Sequence, residues 1–95
     1  MQTLTIENDL TIFTAADKKD ALLAFLKTGS ELEVDLSQVE EIDTAGLQLL
    51  ILIKREAAKT GKSLTFVLHS KPVLEIIELA NLTSTFGDQV VLAHN

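Results

Sequence analysis

The sequence contains no cysteine and only two histidines, which excludes several kinds of chemistry. Without cysteine the chain can form no disulfide bond, no thiolate metal site and no cysteine nucleophile. His69 and His94 lie far apart, with no zinc-ligand spacing around either, so we expect both to be surface or chain-end residues. The sequence therefore predicts no bound metal and no other cofactor.

Basic residues and long apolar runs are also scarce. Eight Lys and Arg stand against 14 Asp and Glu, and the net charge of −6 has the wrong sign for binding nucleic acid or anionic lipid. The longest apolar run, Leu49 to Ile53, is far shorter than the roughly 20 residues that cross a bilayer. The first ten residues also lack the features of a secretory signal. We therefore expect a cytoplasmic protein without direct membrane insertion.

What is present is the composition of one small globular domain. The chain has 95 residues, within the size of a single core, and its 46% hydrophobic and 23% charged residues are typical of a folded protein rather than a disordered one. The sequence predicts a single domain over residues 1–95.

Alternating apolar residues predict the strands. Residues 3–13 alternate on both sides of Glu7, Asn8 and Asp9, which predicts a β-hairpin. The same pattern predicts strands over residues 31–36 and 63–68, and a short final strand over residues 90–92.

Three segments follow a helical period instead. The first begins after the capping residue Thr14 and is expected to end at Gly29, the second covers residues 44–60 and ends at Gly61, and the third covers residues 71–80. A helix between the strands at 31–36 and 63–68 predicts a right-handed crossover and a parallel pair. Because the strands alternate, we expect an α/β (α+β layered) fold, with helices mainly on one face of a mixed four- to five-stranded sheet.

The most informative segment is the strand-to-helix turn at Asp43–Gly46. Asp43 and Thr44 are both helix-capping residue types, and Gly46 allows the backbone of the first turn to approach a neighbour closely. A phosphate on Thr44 would lie at the positive end of a helix dipole. It would also add repulsion, because residues 31–43 hold six carboxylates and no basic residue. The residues alone leave two interpretations open, an ordinary helix cap and a phosphoacceptor, and the cap is the more frequent of the two.

A set of short sequences resembles the STAS domain family over essentially the whole chain. They are Val34–Ser37, Ile42–Leu47, Gly61–Leu64 and Ser70–Val73, followed by Leu79 and Phe86. This family includes the bacterial anti-sigma factor antagonists, a small subunit of a phospholipid-transport ABC system and the tails of sulfate transporters. Asn81 stands where a glycine is usual, and it also tolerates left-handed backbone.

The resemblance implies a non-enzymatic regulatory module that is switched by a serine/threonine kinase. The residue directly after the motif aspartate is the phosphoacceptor, and here it is Thr44. A kinase, an anti-sigma factor or a chemotaxis signalling protein would then bind the surface formed by Asp43, Thr44, Ala45, Gly46, Gln48 and Leu52. The commonest motif has two serines where this chain has Thr44 and Ala45.

Other interpretations stay open at this point. The Asp-Thr-Ala-Gly sequence is also similar to the lipid-transport subunit, for which the partner would be the ABC transporter ATPase. Leu52 fits either a partner surface or the flank of the core. We expect a solvated helix end at Lys54, Arg55, Lys59 and Lys62. We also expect Glu75 and Glu78 to lie on the solvent-exposed face of a helix. An enzyme with Thr44 as nucleophile is disfavoured because no histidine or lysine is placed to activate it. The sequence contains no glycine-rich phosphate loop that would predict nucleotide binding. The sequence does not indicate the oligomeric state.

Overall fold

A computed structural model describes residues 1–67 and 69–79. Within these residues the chain forms five strands and three helices. In chain order they are β1 (Gln2–Thr5), β2 (Asn8–Leu10), α1 (Ala15–Phe25), β3 (Glu31–Asp35), β4 (Val39–Ile42), α2 (Thr44–Lys59), β5 (Ser63–Val67) and α3 (Lys71–Leu79). The predicted strand at residues 90–92, together with Asn81, Phe86 and His94, lies outside the described residues.

The three helices are at their predicted places. Helix α2 ends as expected, with Thr60 as its C-cap and Gly61 at φ 72°, a left-handed conformation that glycine adopts without strain. Helix α1 ends at Phe25, before the predicted stop at Gly29. There the backbone N–H groups of Lys27 and Thr28 donate to carbonyls three residues earlier, and this tighter turn breaks the α-helical spiral.

The predicted parallel pair is confirmed. Strands β3 and β5 pair in parallel, with Leu32 opposite Leu64 and Val34 opposite Phe66, and helix α2 lies between them in sequence and packs against β5. Strand β1 pairs in parallel with the other side of β3, which gives a three-stranded sheet in the order β1-β3-β5.

The predicted hairpin at residues 3–13 is wrong, because β1 and β2 do not pair with each other. Asn8 has φ 63°, and the chain passes there from the first sheet to a second, two-stranded sheet in which β2 pairs in parallel with β4. Alternation located β1, but it put Asn8 and Asp9 in a turn, whereas both belong to β2. It also carries no information about which strands pair. Strand β4 is also absent from the predicted strands, because its sequence was assigned to the strand-to-helix turn.

The α/β class and its layering are confirmed. The side chains of Leu32, Val34, Leu64 and Phe66 face the helices and are buried, whereas Glu33 and the other outward residues of these strands are not. The five strands are divided between two sheets rather than joined in one mixed sheet, and all pairs within the described residues are parallel.

Helix α2 supplies much of the core. Gly46, Leu50, Ile53 and Ala57 form the predicted buried stripe, and Arg55 and Lys59 are exposed on the opposite side. Among the residues that the structure describes, no helix is long and apolar enough to cross a membrane.

Candidate protein-interaction site at the start of α2

Asp43 connects the end of β4 to the start of α2. It is the N-cap residue in an extended conformation (φ −121°, ψ −174°), and its backbone carbonyl accepts the first helical hydrogen bond from Leu47 N at 3.0 Å. Its own N–H donates to the carbonyl of Leu10, the last residue of β2, at 3.3 Å. The start of the helix is therefore attached to the second sheet.

The carboxylate of Asp43 joins two parts of the chain. Oδ1 accepts a hydrogen bond from Gly46 N at 3.0 Å, which caps the helix, and Oδ2 accepts one from Ile12 N at 3.0 Å, in the loop between β2 and α1. These bonds, the one from Ile12 first, hold the pKa of Asp43 below its ordinary value of 3.8. The predicted helix cap is thus present, and it also fixes a loop 31 residues away in sequence.

Gly46 provides a close approach within the chain itself. It is buried, and a Cβ atom at this position would lie 1.9 Å from the carbonyl oxygen of Leu10. The absence of a side chain is therefore what lets the first turn of α2 lie against the end of β2. A contact of Gly46 with a partner stays a prediction.

The other predicted partner residues lie between the start and the middle of α2. Thr44 and Gln48 are exposed, and Ala45 and Leu52 are half-buried. Leu52 packs against the edge of the core and, with Gln48, Ile51 and Arg55, also lines a shallow depression of about 350 Å³. Because Thr44, Gln48 and Leu52 follow at intervals of four residues, they form a continuous strip on the helix surface.

An exposed apolar pair that the sequence patterns did not predict lies in the loop held by Asp43. Phe13 is 93% exposed and Ile12 is 68% exposed, although the alternation rule had placed Ile12 in a strand. The available signal was that two consecutive apolar residues, directly before the helix-capping Thr14, do not fit the period of a strand or of the following helix.

Thr14 holds this loop in place. Its Oγ1 accepts a hydrogen bond from Thr11 N at 3.1 Å and donates to the carbonyl of Asp9 at 3.0 Å. The hydroxyl makes no bond to the first turn of α1, so Thr14 marks the predicted helix start while its side chain stabilises the preceding turn.

The surroundings of Asp43 are acidic. Asp9 and Glu41 are opposite each other in the register of β2 and β4, and Glu40 and Glu41 are exposed. No group of three or more His, Cys, Asp and Glu side chains within residues 1–67 and 69–79 is arranged to hold a metal ion.

Two expectations about residues outside the site need correction. His69 is buried, with 1% of its surface exposed, and the N–H of the next residue, Ser70, donates to the carbonyl of Leu36. Lys54 and Lys62 are half-buried rather than solvated, and their ammonium groups donate to the carbonyls of Leu64 and Leu26. Glu75 and Glu78 are exposed on α3, as expected.

Comparison with known proteins places this geometry in a family. The family model described as Mlab, STAS domain matches residues 1–92. A protein from Thermotoga maritima, provisionally described as an anti-sigma factor antagonist, has a similar structure with a TM-score of 0.78 and 24% identity over 93% of this chain and 75% of that chain. The anti-sigma factor antagonist SpoIIAA in its unphosphorylated form has a TM-score of 0.66 and 12% identity over 97% of this chain and 79% of that chain. The chain belongs to the STAS domain family.

Proposed function

We propose that this protein is a non-enzymatic, cytoplasmic antagonist of an anti-sigma factor or a related signalling protein, and that phosphorylation of Thr44 controls its binding to a serine/threonine kinase. The observation that carries the proposal is the exposed hydroxyl of Thr44 at the start of α2, inside an anti-sigma factor antagonist-like fold. The description of the SpoIIAA structure as an unphosphorylated form also supports control by phosphate.

The unphosphorylated protein binds the kinase through the strip of Thr44, Gln48 and Leu52. In the phosphoryl transfer, Thr44 Oγ1 attacks the γ-phosphorus of ATP, the bond to the bridging oxygen of ADP breaks, and the hydroxyl proton passes to a base of the kinase. The product carries about 1.5 to 2 additional negative charges next to the ionised Asp43. Binding then requires a crowded group of anions to lose its water, and the complex dissociates.

The test is a pull-down from lysate of the source cell with three baits: the unaltered protein, Thr44→Glu and Ala58→Glu. Thr44 and Ala58 are both exposed on α2, so the last variant controls for an added charge on the same helix. We expect mass spectrometry to identify a serine/threonine kinase on the unaltered and Ala58→Glu baits, with at least about tenfold less on Thr44→Glu.

Equal recovery of the kinase on all three baits, with unchanged circular dichroism, would contradict control at Thr44. Absence of any kinase from the unaltered bait would contradict the proposed function as a whole.

A second candidate function is supported by Ala45. Its methyl group stands where the commonest antagonist motif has a second serine, and the Asp43–Gly46 sequence is similar to the STAS subunit of phospholipid-transport ABC systems. In that role Thr44 would contact the transporter ATPase without carrying phosphate. Recovery of an ATPase together with its permease, rather than a kinase, would favour this function.

A further inference from the structure

We propose that Phe13, together with Ile12, is the apolar anchor through which the kinase partner binds this end of the molecule. The inference rests on the proposed function and names a part of the partner surface that lies outside α2. Its occupant is a pocket on the kinase that accepts an aromatic ring.

The first support is exposure. Four large apolar side chains are exposed within the described residues, and Ile12 and Phe13 are the two that are adjacent in sequence. A single exposed apolar residue needs no explanation, but a contiguous pair that includes an aromatic ring is typical of a surface that a partner covers. Aromatic side chains in such places often dominate the binding energy.

The second support is that the loop is already held in one conformation. Ile12 N donates to Asp43 Oδ2 at 3.0 Å, and Thr14 N donates to the carbonyl of Thr11 at 3.0 Å. The Oγ1 of Thr14 adds bonds to Thr11 N and to the Asp9 carbonyl. A partner that binds Phe13 therefore does not have to order the backbone, which lowers the entropic cost of binding.

The third support is that one hydrogen bond links the loop of Phe13 to the start of α2, where the proposed phosphoacceptor Thr44 lies. Phe13 follows Ile12, and Thr44 follows Asp43, so each lies one residue from the same 3.0 Å hydrogen bond. We therefore expect a protein that covers Thr44 to reach Phe13 as well. Phosphate on Thr44 would have to be dehydrated when the ring enters its pocket, so one event at Thr44 weakens both contacts.

The charges near this loop indicate what kind of partner surface would bind there. Asp9 and Glu41 are paired in the register of β2 and β4, and within the described part of the chain no basic side chain forms an ion pair with either. The matching partner surface is an apolar pocket with basic residues at its edge, on the side that faces Glu41.

The test uses the purified kinase that the unaltered protein retains from lysate. Its affinity is measured by isothermal titration calorimetry for the unaltered protein, Phe13→Ser, Leu79→Ser and Thr44→Glu. Leu79 is the matched control because it is 87% exposed and lies on α3, outside the proposed surface. We expect Phe13→Ser to weaken binding at least about tenfold and Leu79→Ser to change it less than about twofold.

The outcomes separate the two proposals. If Thr44→Glu weakens binding and Phe13→Ser, with unchanged circular dichroism, does not, the anchor is overturned and the proposed function stands. An equal loss of affinity for the kinase in Phe13→Ser and Leu79→Ser would also overturn the anchor. It would show that any exposed apolar side chain contributes equally to binding. If the unaltered protein retains no kinase, the proposed function fails and the anchor fails with it.

Discussion

At the scale of single residues, the site depends on the carboxylate of Asp43. One oxygen caps α2 through Gly46 N, and the other holds the loop before α1 through Ile12 N. Both bonds are stronger to the ionised form, so they stabilise the fold most while Asp43 is deprotonated.

Replacement of Asp43 by Asn should therefore change how stability depends on pH. The pKa of Asp43 is lowered in the folded protein, so its stabilising effect is fully present above the unfolded-state value near 3.8 and is lost as the pH falls through the lower, folded-state pKa. The midpoint of thermal unfolding of Asp43→Asn should lie below that of the unaltered protein at pH 7, and the gap should narrow as the pH falls below about 4.

Thermal unfolding followed by circular dichroism between pH 7 and pH 2 measures this gap. Glu41→Gln is the matched control, since it removes one carboxylate close by whose side chain makes no hydrogen bond within the described residues. A gap between Asp43→Asn and the unaltered protein that stays constant over the whole pH range would contradict the assigned role.

At the scale of elements, the close packing of α2 against β2 depends on Gly46. An alanine in the interior of a helix normally stabilises it relative to glycine, by about 1 kcal/mol. Here the added Cβ would lie 1.9 Å from the Leu10 carbonyl oxygen, so the helix and the strand would have to move apart. We expect Gly46→Ala to lower the free energy of unfolding by about 1–3 kcal/mol, which is the usual cost of overpacking.

Urea unfolding measures this loss, with Gly29→Ala as the control. A Cβ on Gly29 would meet Gln2 Cγ at 3.4 Å, an ordinary contact, so its effect should stay within about 0.5 kcal/mol. Stabilisation by Gly46→Ala would show that the close approach of α2 and β2 does not exist in solution.

Most of the elements could be predicted from the sequence, but of the three strand pairs only that of β3 with β5 could. Helix α2 has a capping aspartate, a buried stripe and a glycine after its end, and all three signals are local. The positive φ of Asn8 and the division into two sheets depend on contacts between distant residues, for example Asn8 N with the carbonyl of Gln38. Alternation cannot report such contacts, because a strand alternates in the same way whichever strand it pairs with.

At the scale of the whole molecule, tertiary structure brings two remote segments to one end. The sequence predicted the Asp43–Gly46 turn and the presence of its cap. It could not predict Ile12 and Phe13 as neighbours of that turn, because only the fold brings Ile12 N to the carboxylate of Asp43. For the same reason Gly46 could not be recognised from sequence as a contact of Leu10.

The overall charge also bears on how this surface binds. The chain carries a net charge of −6, and three of the four residues before Thr44 are acidic, namely Glu40, Glu41 and Asp43. A partner with basic residues around its pocket would associate faster because of this charge, and higher salt would slow the association. In the proposed switch, phosphate on Thr44 would act by a different route, since it would have to lose its water at the centre of the contact.

The central claim is tested most directly by titrating the purified kinase with the protein before and after complete phosphorylation at Thr44, as verified by mass spectrometry. The account predicts that the phosphorylated form binds at least about tenfold more weakly than the unphosphorylated form, a difference of about 1.4 kcal/mol, and that Thr44→Ala cannot be phosphorylated at this position. Equal affinity of the two forms, or phosphate found on a residue other than Thr44, would contradict the account.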